Sequence, residues 1–98
     1  MFAVIFRAEI GELDQEYSEL AGKLRQLAMD KYGCVEFFAL CEGNQEVAIS
    51  YWPDMTSIQA WKADPLHAQA QKKGRAGWYN RYLVQVAEIH RQYQVPAE

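Results

Sequence analysis

Hydrophobic and polar positions alternate with a period of two at the start of the chain, over Phe2–Ile10. This period predicts a strand, because successive side chains of a strand point to opposite faces. After Gly11 the spacing becomes helical: Asp14 is a candidate N-cap, and apolar residues recur three or four positions apart as far as Ala28. Gly33 is expected to end this helix in a left-handed turn.

Period-two alternation returns in the middle of the chain. Residues 34–42 and Gln45–Trp52 predict two strands, and Gly43-Asn44 between them predicts a tight turn. The two strands are therefore expected to form an antiparallel hairpin, which Pro53 ends.

The segment after the hairpin predicts two short helices. The first would be capped by Asp54 or Thr56 and run through Trp61. Asp64-Pro65 begins the second, because aspartate suits the cap and proline suits the first helical position. This second helix is expected to extend to about residue 73 and to end at Gly74.

The last predicted strand covers residues 79–91, and residues 93–98 form a tail in which Pro96 prevents regular structure. The order of elements is then strand, helix, strand, strand, helix, strand. This order is typical of the ferredoxin-like split βαβ fold, an α+β class with a four-stranded antiparallel sheet and helices on one face. At 98 residues the chain is expected to be a single domain, residues 1–98.

Large apolar side chains occur on both faces of the predicted sheet, although two helical regions can cover only one. An exposed apolar face of that size favours a homodimer in which sheet packs against sheet. Four polar residues occur within the strands, and the sequence does not determine on which face of the sheet each one lies. They are Arg7, Glu9, Glu36 and Gln85. Either they project into a half-wet chamber between the two uncovered faces, or they lie in water at the sheet edges.

Composition excludes several classes of function. The net charge is −3 with lysine and arginine scattered, so no nucleic-acid-binding stripe is predicted. The apolar start of the chain is too short for a signal sequence or a membrane span, which favours the cytoplasm. Cys34 and Cys41, seven positions apart on one predicted strand, would lie roughly 23 Å apart, so no disulfide is expected. His67 and Gln71 are one helical turn apart, but glutamine is a poor metal ligand, so no metal site is predicted.

Five other residues have a structural and a functional interpretation. Trp61 is either a core anchor or the wall of a cavity on which an aromatic molecule stacks. His67, near a helix start, is either a surface residue or a neutral general base. Arg75 either satisfies carbonyls at a helix end or holds an anionic oxygen. Trp52 marks a strand end and could rim a pocket, and Tyr79 either packs under the last loop or contacts a ligand.

Nearly the whole chain resembles the antibiotic biosynthesis monooxygenases, which are dimeric α+β barrel proteins. The resemblance is strongest over residues 58–91, which contain Trp61, His67, Gly74-Arg75, Trp78-Tyr79 and the strand Tyr82-x-Val84-x-Val86. It implies a homodimer that oxidises a phenolic or anthrone-like aromatic molecule without a metal or organic cofactor. Trp61 matches the tryptophan that those proteins carry on the helix bordering their cavity.

A haem-degrading branch of similar proteins uses an asparagine on strand one, the same tryptophan and a later helical histidine. In this chain strand one has Arg7 and Glu9 but no asparagine, Gln71 stands where that histidine is expected, and His67 comes one turn earlier. These departures argue against haem degradation. Two other possibilities stay open: a dimeric module that binds haem or a hydrophobic metabolite without turnover, and a purely structural dimerisation domain.

Overall fold

The computed structural model describes residues 1–96, which form four strands, three α-helices and one π-helical turn. The elements in chain order are β1 (Phe2–Ile10), α1 (Gln15–Asp30), β2 (Glu36–Glu42), β3 (Gln45–Trp52), α2 (Met55–Lys62), α3 (Pro65–Lys73), the π turn (Gly74–Trp78) and β4 (Tyr79–Glu88). Within this range, no helix has both the length and the apolar character needed to span a membrane.

The four strands form one antiparallel sheet in the order β2-β3-β1-β4. Central strand β1 pairs with both β3 and β4, so that Val4 stands between Ser50 and Val86. The helices pack on the face that carries Val4, which we call the inner face; the opposite face is the outer face. The predicted ferredoxin-like α+β fold is thus confirmed.

Aspartate side chains cap all three helices. Asp14 accepts a hydrogen bond from the Tyr17 amide at 3.2 Å, and Asp54 accepts one from the Ser57 amide at 2.7 Å. Asp64, before the proline that begins α3, accepts one from the Leu66 amide at 2.8 Å. Each carboxylate satisfies a backbone N–H that has no partner within its helix, and so fixes where the helix begins.

Several element ends differ from the prediction because tertiary hydrogen bonds decide them. β2 begins at Glu36 rather than at residue 34, since the Cys34 amide donates to the carbonyl of Ala28 in α1. β4 ends at Glu88 rather than at residue 91, because Glu88 pairs with Phe2 and β1 extends no further. Residues 93–96 have no regular structure, as predicted; the rest of the predicted tail, 97–98, lies outside the described residues.

Two glycines at helix ends behave differently. Gly33 has a φ of 78°, so the left-handed turn predicted after α1 is confirmed. Gly74 caps α3 as predicted, but its φ of −58° is right-handed and the chain continues into the π turn. A Cβ at Gly74 would come within 3.1 Å of the Tyr79 ring, so the glycine allows this ring to pack against the end of α3.

The core lies between the inner face and the helices. Its centre is Trp52, which is 0 % exposed, and Trp61 of α2 packs on it with ring centroids 5.1 Å apart. The other buried members of this cluster are Val4, Ala28, Cys34 and Ile58. Both cysteines are free, Cys34 buried and Cys41 exposed, in agreement with the predicted absence of a disulfide between them.

Gly11 should be one of the least replaceable small residues of the fold. A Cβ there would meet the carbonyl oxygen of Gly77 at 2.7 Å, and backbone atoms cannot move aside easily. We expect Gly11→Ala to lower the free energy of unfolding by about 1–3 kcal/mol in a urea titration. The matched control is Gly22→Ala in α1, where nothing lies within 4 Å and alanine should add about 0.5–1 kcal/mol. Equal changes in the free energy of unfolding for the two substitutions would contradict the close approach of Gly11 to the Gly77 carbonyl.

Candidate functional site

A cavity of about 260 Å³ lies between the inner face of the sheet and the helices α1, α2 and α3. Its walls are mainly apolar, and a few polar groups project into it, which is the usual make-up of a small-molecule site. The space exists because small residues occupy positions where helix and sheet face each other. These residues are Ala21, Ala39, Ala48, Ala70 and Gly74.

This cavity is a different space from the chamber predicted between the uncovered faces of two sheets. The predicted chamber lay against the uncovered side of the sheet, whereas the cavity lies under the helices. Three of the polar residues considered for the predicted chamber lie on the outer face. In the sheet, Arg7 pairs with Val47, Glu36 with Tyr51, and Gln85 with Ile5. A period of two separates the faces of a strand but does not say which face the helices cover.

Trp61 and His67 meet at one end of the cavity. Their ring centroids are 4.5 Å apart in an edge-to-face arrangement, and Phe37 packs on the other side of Trp61 at 6.2 Å. Asp64 brings the two residues together, because as N-cap of α3 it sets the chain direction between α2 and α3. Its second oxygen accepts a 2.7 Å hydrogen bond from the Tyr32 hydroxyl, which holds this corner in place.

The surroundings of His67 favour the neutral, basic form of its imidazole. Burial lowers the pKa of its imidazole below the ordinary value of 6.5, and the charge of Lys62 lowers it further. The carboxylate of Asp64 opposes both effects without cancelling them. A neutral imidazole can accept a proton from a ligand at pH 7, as a general base must.

The opposite end of the cavity holds a chain of hydroxyl groups that ends on a carboxylate. Tyr79 donates to the Tyr17 hydroxyl at 3.4 Å, and Tyr17 donates to Glu46 Oε1 at 2.5 Å. Burial, followed by the hydrogen bond to Glu46, raises the pKa of Tyr17 to about 12. Burial also raises the pKa of Tyr79, and its hydrogen bond to Tyr17 adds to the effect. Both phenols therefore stay protonated and act as hydrogen-bond donors.

The two ends are separated along strand β3. Glu46 belongs to the tyrosine end, whereas Ser50 pairs with Phe37 and so lies at the tryptophan end. Glu46 and Ser50 are four residues apart on the strand, which corresponds to about 13 Å between their backbone positions. The cavity is thus elongated, with a polar group at each end and apolar walls between.

Three buried side-chain atoms of the described residues have no hydrogen-bond partner, and all three belong to residues that line this cavity. They are Glu46 Oε2, Trp61 Nε1 and His67 Nδ1. A buried polar atom without a partner costs about 1–3 kcal/mol, so such atoms are rare in a folded protein. Two of these atoms belong to the tryptophan end of the cavity and one to the tyrosine end, which favours a site whose ligand supplies the missing partners.

The structure brings together only part of the site predicted from sequence. Trp61, His67 and Tyr79 line the cavity. Trp52 lies behind Trp61, fully buried, with its indole N–H donating to Ser50 Oγ at 2.8 Å. Arg75 is exposed in the π turn, and Arg7 borders a separate, shallow hollow with Arg81 and Leu83. Trp52, Arg75 and Arg7, which were predicted to contact the substrate, therefore do not line this cavity.

Two residues of the site, Tyr17 and Glu46, were absent from the prediction. Glu46 shares a strand face with Ala48, Ser50 and Trp52, so a charge among buried neighbours was the available signal. Tyr17 is separated from it by 29 residues, and nothing local in the sequence indicates that the two meet.

Comparison with known proteins places this geometry in a class. No model of a known protein family matches the sequence. The fold matches that of SnoaB, a cofactor-independent oxygenase from Streptomyces nogalater, with a TM-score of 0.77 and 17% identity over 93% of this chain and 94% of that one. A putative antibiotic biosynthesis monooxygenase from Deinococcus radiodurans matches with a TM-score of 0.70 and 13% identity, covering 99% of this chain and 100% of that one. The chain is thus an antibiotic biosynthesis monooxygenase-type protein in fold, as the resemblance predicted.

Sequence similarity identifies the family. The chain is 36% identical over 92 residues to the uncharacterized protein YqjZ of Bacillus subtilis, covering 93% of this chain and 81% of YqjZ. It belongs to the same family as that protein. It is also 31% identical over 94 residues to the jasmonate monooxygenase ABM of Pyricularia oryzae, but this match spans only 43% of that longer protein.

Proposed function

We propose that the protein is a cofactor-independent monooxygenase, or quinol oxygenase, that acts on a small aromatic molecule of phenolic or anthrone type. The proposal rests on three polar atoms without partners in one apolar cavity, Trp61 Nε1 and His67 Nδ1 at one end and Glu46 Oε2 at the other. Such a substrate presents a flat apolar body to the walls and a few oxygen atoms to these groups.

His67 and Trp61 have complementary roles in the proposed reaction. His67 removes an acidic proton, and the resulting electron-rich anion transfers an electron to dioxygen. Recombination forms a carbon–oxygen bond; for an anthrone the CH₂ group becomes a ketone, and the second oxygen atom leaves in water. Trp61 stacks on the aromatic rings, and its indole N–H donates to the developing oxyanion.

Oxygen consumption by the purified protein tests this function. We expect uptake with at least one member of a panel of anthrones and hydroquinols. Jasmonic acid, after which one relative is named, is added as a non-aromatic compound, and uptake with it alone would contradict the aromatic substrate class. Heat-denatured protein provides the control, since anthrones also oxidise slowly in solution. A flat response across the panel would contradict the enzymatic proposal.

The same cavity also suits a module that binds a hydrophobic molecule without turnover. Haem titration followed by visible absorption distinguishes this alternative: a shifted Soret band without breakdown under reductant would support binding alone. A purely structural dimerisation domain is less consistent with the chain, because the space between sheet and helices is not filled by side chains.

We also propose that the protein forms a homodimer through the outer face. Phe38 is 50 % exposed and Leu40 64 % exposed on this face, and Val47 and Leu83 continue the apolar surface across the sheet. Pairing two such faces would remove this surface from water. Sedimentation equilibrium should give twice the mass of the chain, and Leu40→Glu should shift the protein to monomer; a mass of one chain for the unmodified protein would contradict the proposal.

A further inference from the structure

Glu46 is unusual because its carboxylate is buried without a cation. It is 8 % exposed, and it lies on the inner face of β3 at the tyrosine end of the cavity. The ion pairs found within residues 1–96 join Lys73 to Glu16 and Arg81 to Glu9, and neither includes Glu46. A carboxylate taken out of water needs hydrogen bonds to replace its hydration.

The protein supplies only part of that replacement. Tyr17 donates to Oε1, whereas Oε2 has no partner among the described residues although it is buried in a residue that lines the cavity. Tyr79 donates to Tyr17 and so strengthens the existing hydrogen bond. Burial raises the pKa of Tyr79 and the nearby Glu46 carboxylate adds to this effect, but the Tyr79 hydroxyl forms no hydrogen bond to Oε2. One acceptor position is therefore left for a group of the ligand.

We propose that Glu46 Oε2 binds a hydroxyl group of the substrate and thereby fixes which end of the molecule faces Trp61 and His67. The proposal rests on the function proposed above and adds a specificity-determining residue to it. The substrate class becomes a hydroxylated aromatic molecule whose hydroxyl group lies opposite the position that reacts.

A hydroxyl group fits this end better than an ammonium group. An ammonium has three N–H donors, and a hydroxyl has one. The tyrosine end offers one acceptor atom without any hydrogen-bond partner, Glu46 Oε2. An ammonium would bring two further donors into a mainly apolar site, and each donor that finds no acceptor costs free energy.

Binding of three naphthalenes by isothermal titration calorimetry tests the proposal. The probes are 2-naphthol, 2-methoxynaphthalene and 2-(aminomethyl)naphthalene, which place a hydroxyl, an ether or an ammonium on the same two-ring body. We expect the unmodified protein to bind 2-naphthol at least tenfold more tightly than 2-methoxynaphthalene, because the hydrogen bond joins a charged acceptor. In Glu46→Gln the ratio should fall to near one, since the amide keeps an oxygen for Tyr17 but replaces Oε2 with a donor.

Glu36→Gln is the matched control, because Glu36 is an exposed glutamate of the outer face and its loss should leave the ratio unchanged. If Glu46→Gln does not fold, the unmodified protein is used to find where 2-naphthol binds. Nuclear Overhauser contacts from 2-naphthol to the Tyr17 and Tyr79 rings would place it at the tyrosine end. Absence of a hydroxyl preference, a preference that persists in folded Glu46→Gln, or contacts elsewhere would overturn the proposal. Tightest binding of the ammonium probe would also overturn it and indicate a cation site.

The outcomes also separate this inference from the proposed function. A hydroxyl preference that depends on Glu46, without oxygen uptake on any panel member, would support the binding site and contradict the enzymatic function. Oxygen uptake that is unchanged in Glu46→Gln would support the enzyme and overturn the role of Glu46. Failure of the unmodified protein to bind any of the three probes would overturn the role of Glu46, and the oxygen-uptake experiment would then decide the proposed function separately.

Discussion

Replacing Trp52 with alanine is expected to lower the free energy of unfolding by about 3–5 kcal/mol. The side chain is 0 % exposed and is the largest fully buried one in the described chain. Its removal would leave a hole beneath Trp61 and take away the donor to Ser50 Oγ. A small domain has a total stability of about 5–15 kcal/mol, so the variant should be close to unfolding at 37 °C.

Trp52→Phe is the matched control for this substitution. It keeps an aromatic ring in the core but removes the indole N–H, so the loss should be smaller, about 1–3 kcal/mol. Urea unfolding should be followed by far-ultraviolet circular dichroism, because the substitution removes a fluorescent reporter. A loss below about 1 kcal/mol for Trp52→Ala would show that the ring is not packed as described, and would restore the prediction that it rims the pocket.

The course of the chain was predictable because local patterns encode it. Period-two alternation identified four strands, and candidate caps indicated where the helices begin. The capping hydrogen bonds of Asp14 and Asp64 confirm two of these caps, and that of Asp54 decides between Asp54 and Thr56. Errors are confined to ends set by distant partners, such as Cys34, whose amide bonds to α1 rather than to β3. Local patterns cannot report hydrogen bonds that form only after the chain has folded.

The site was predictable in part for the same reason. Trp61 and His67 are six residues apart and come together through one cap, so a local pattern contains both. Tyr17, Glu46 and Tyr79 come from α1, β3 and β4, and only tertiary packing joins them. The cavity under the helices was missed for a related reason, since both strand faces are apolar and only tertiary packing decides where helix and sheet leave space.

His67→Gln is expected to lower turnover by about 100- to 10,000-fold on a substrate established by oxygen uptake. Glutamine keeps a polar side chain of similar reach but cannot accept a proton at neutral pH. Because the site and the stacking surface of Trp61 remain, we expect KM to change little, so that the loss lies in kcat. His90→Gln is the control: His90 is exposed and does not line the cavity, and its substitution should leave turnover unchanged.

The role of His67 as base also determines how the rate of the reaction changes with pH. Burial and Lys62 hold the pKa of His67 below 6.5, so the base is neutral at pH 7 and becomes protonated only in more acidic solution. The rate should therefore be flat near neutrality and fall on acidification through a pKa below 6.5. Lys62→Gln should move that fall to higher pH, because it removes a positive charge that disfavours protonation. Full turnover in His67→Gln, or an acid limb that persists there unchanged, would show that another group accepts the proton.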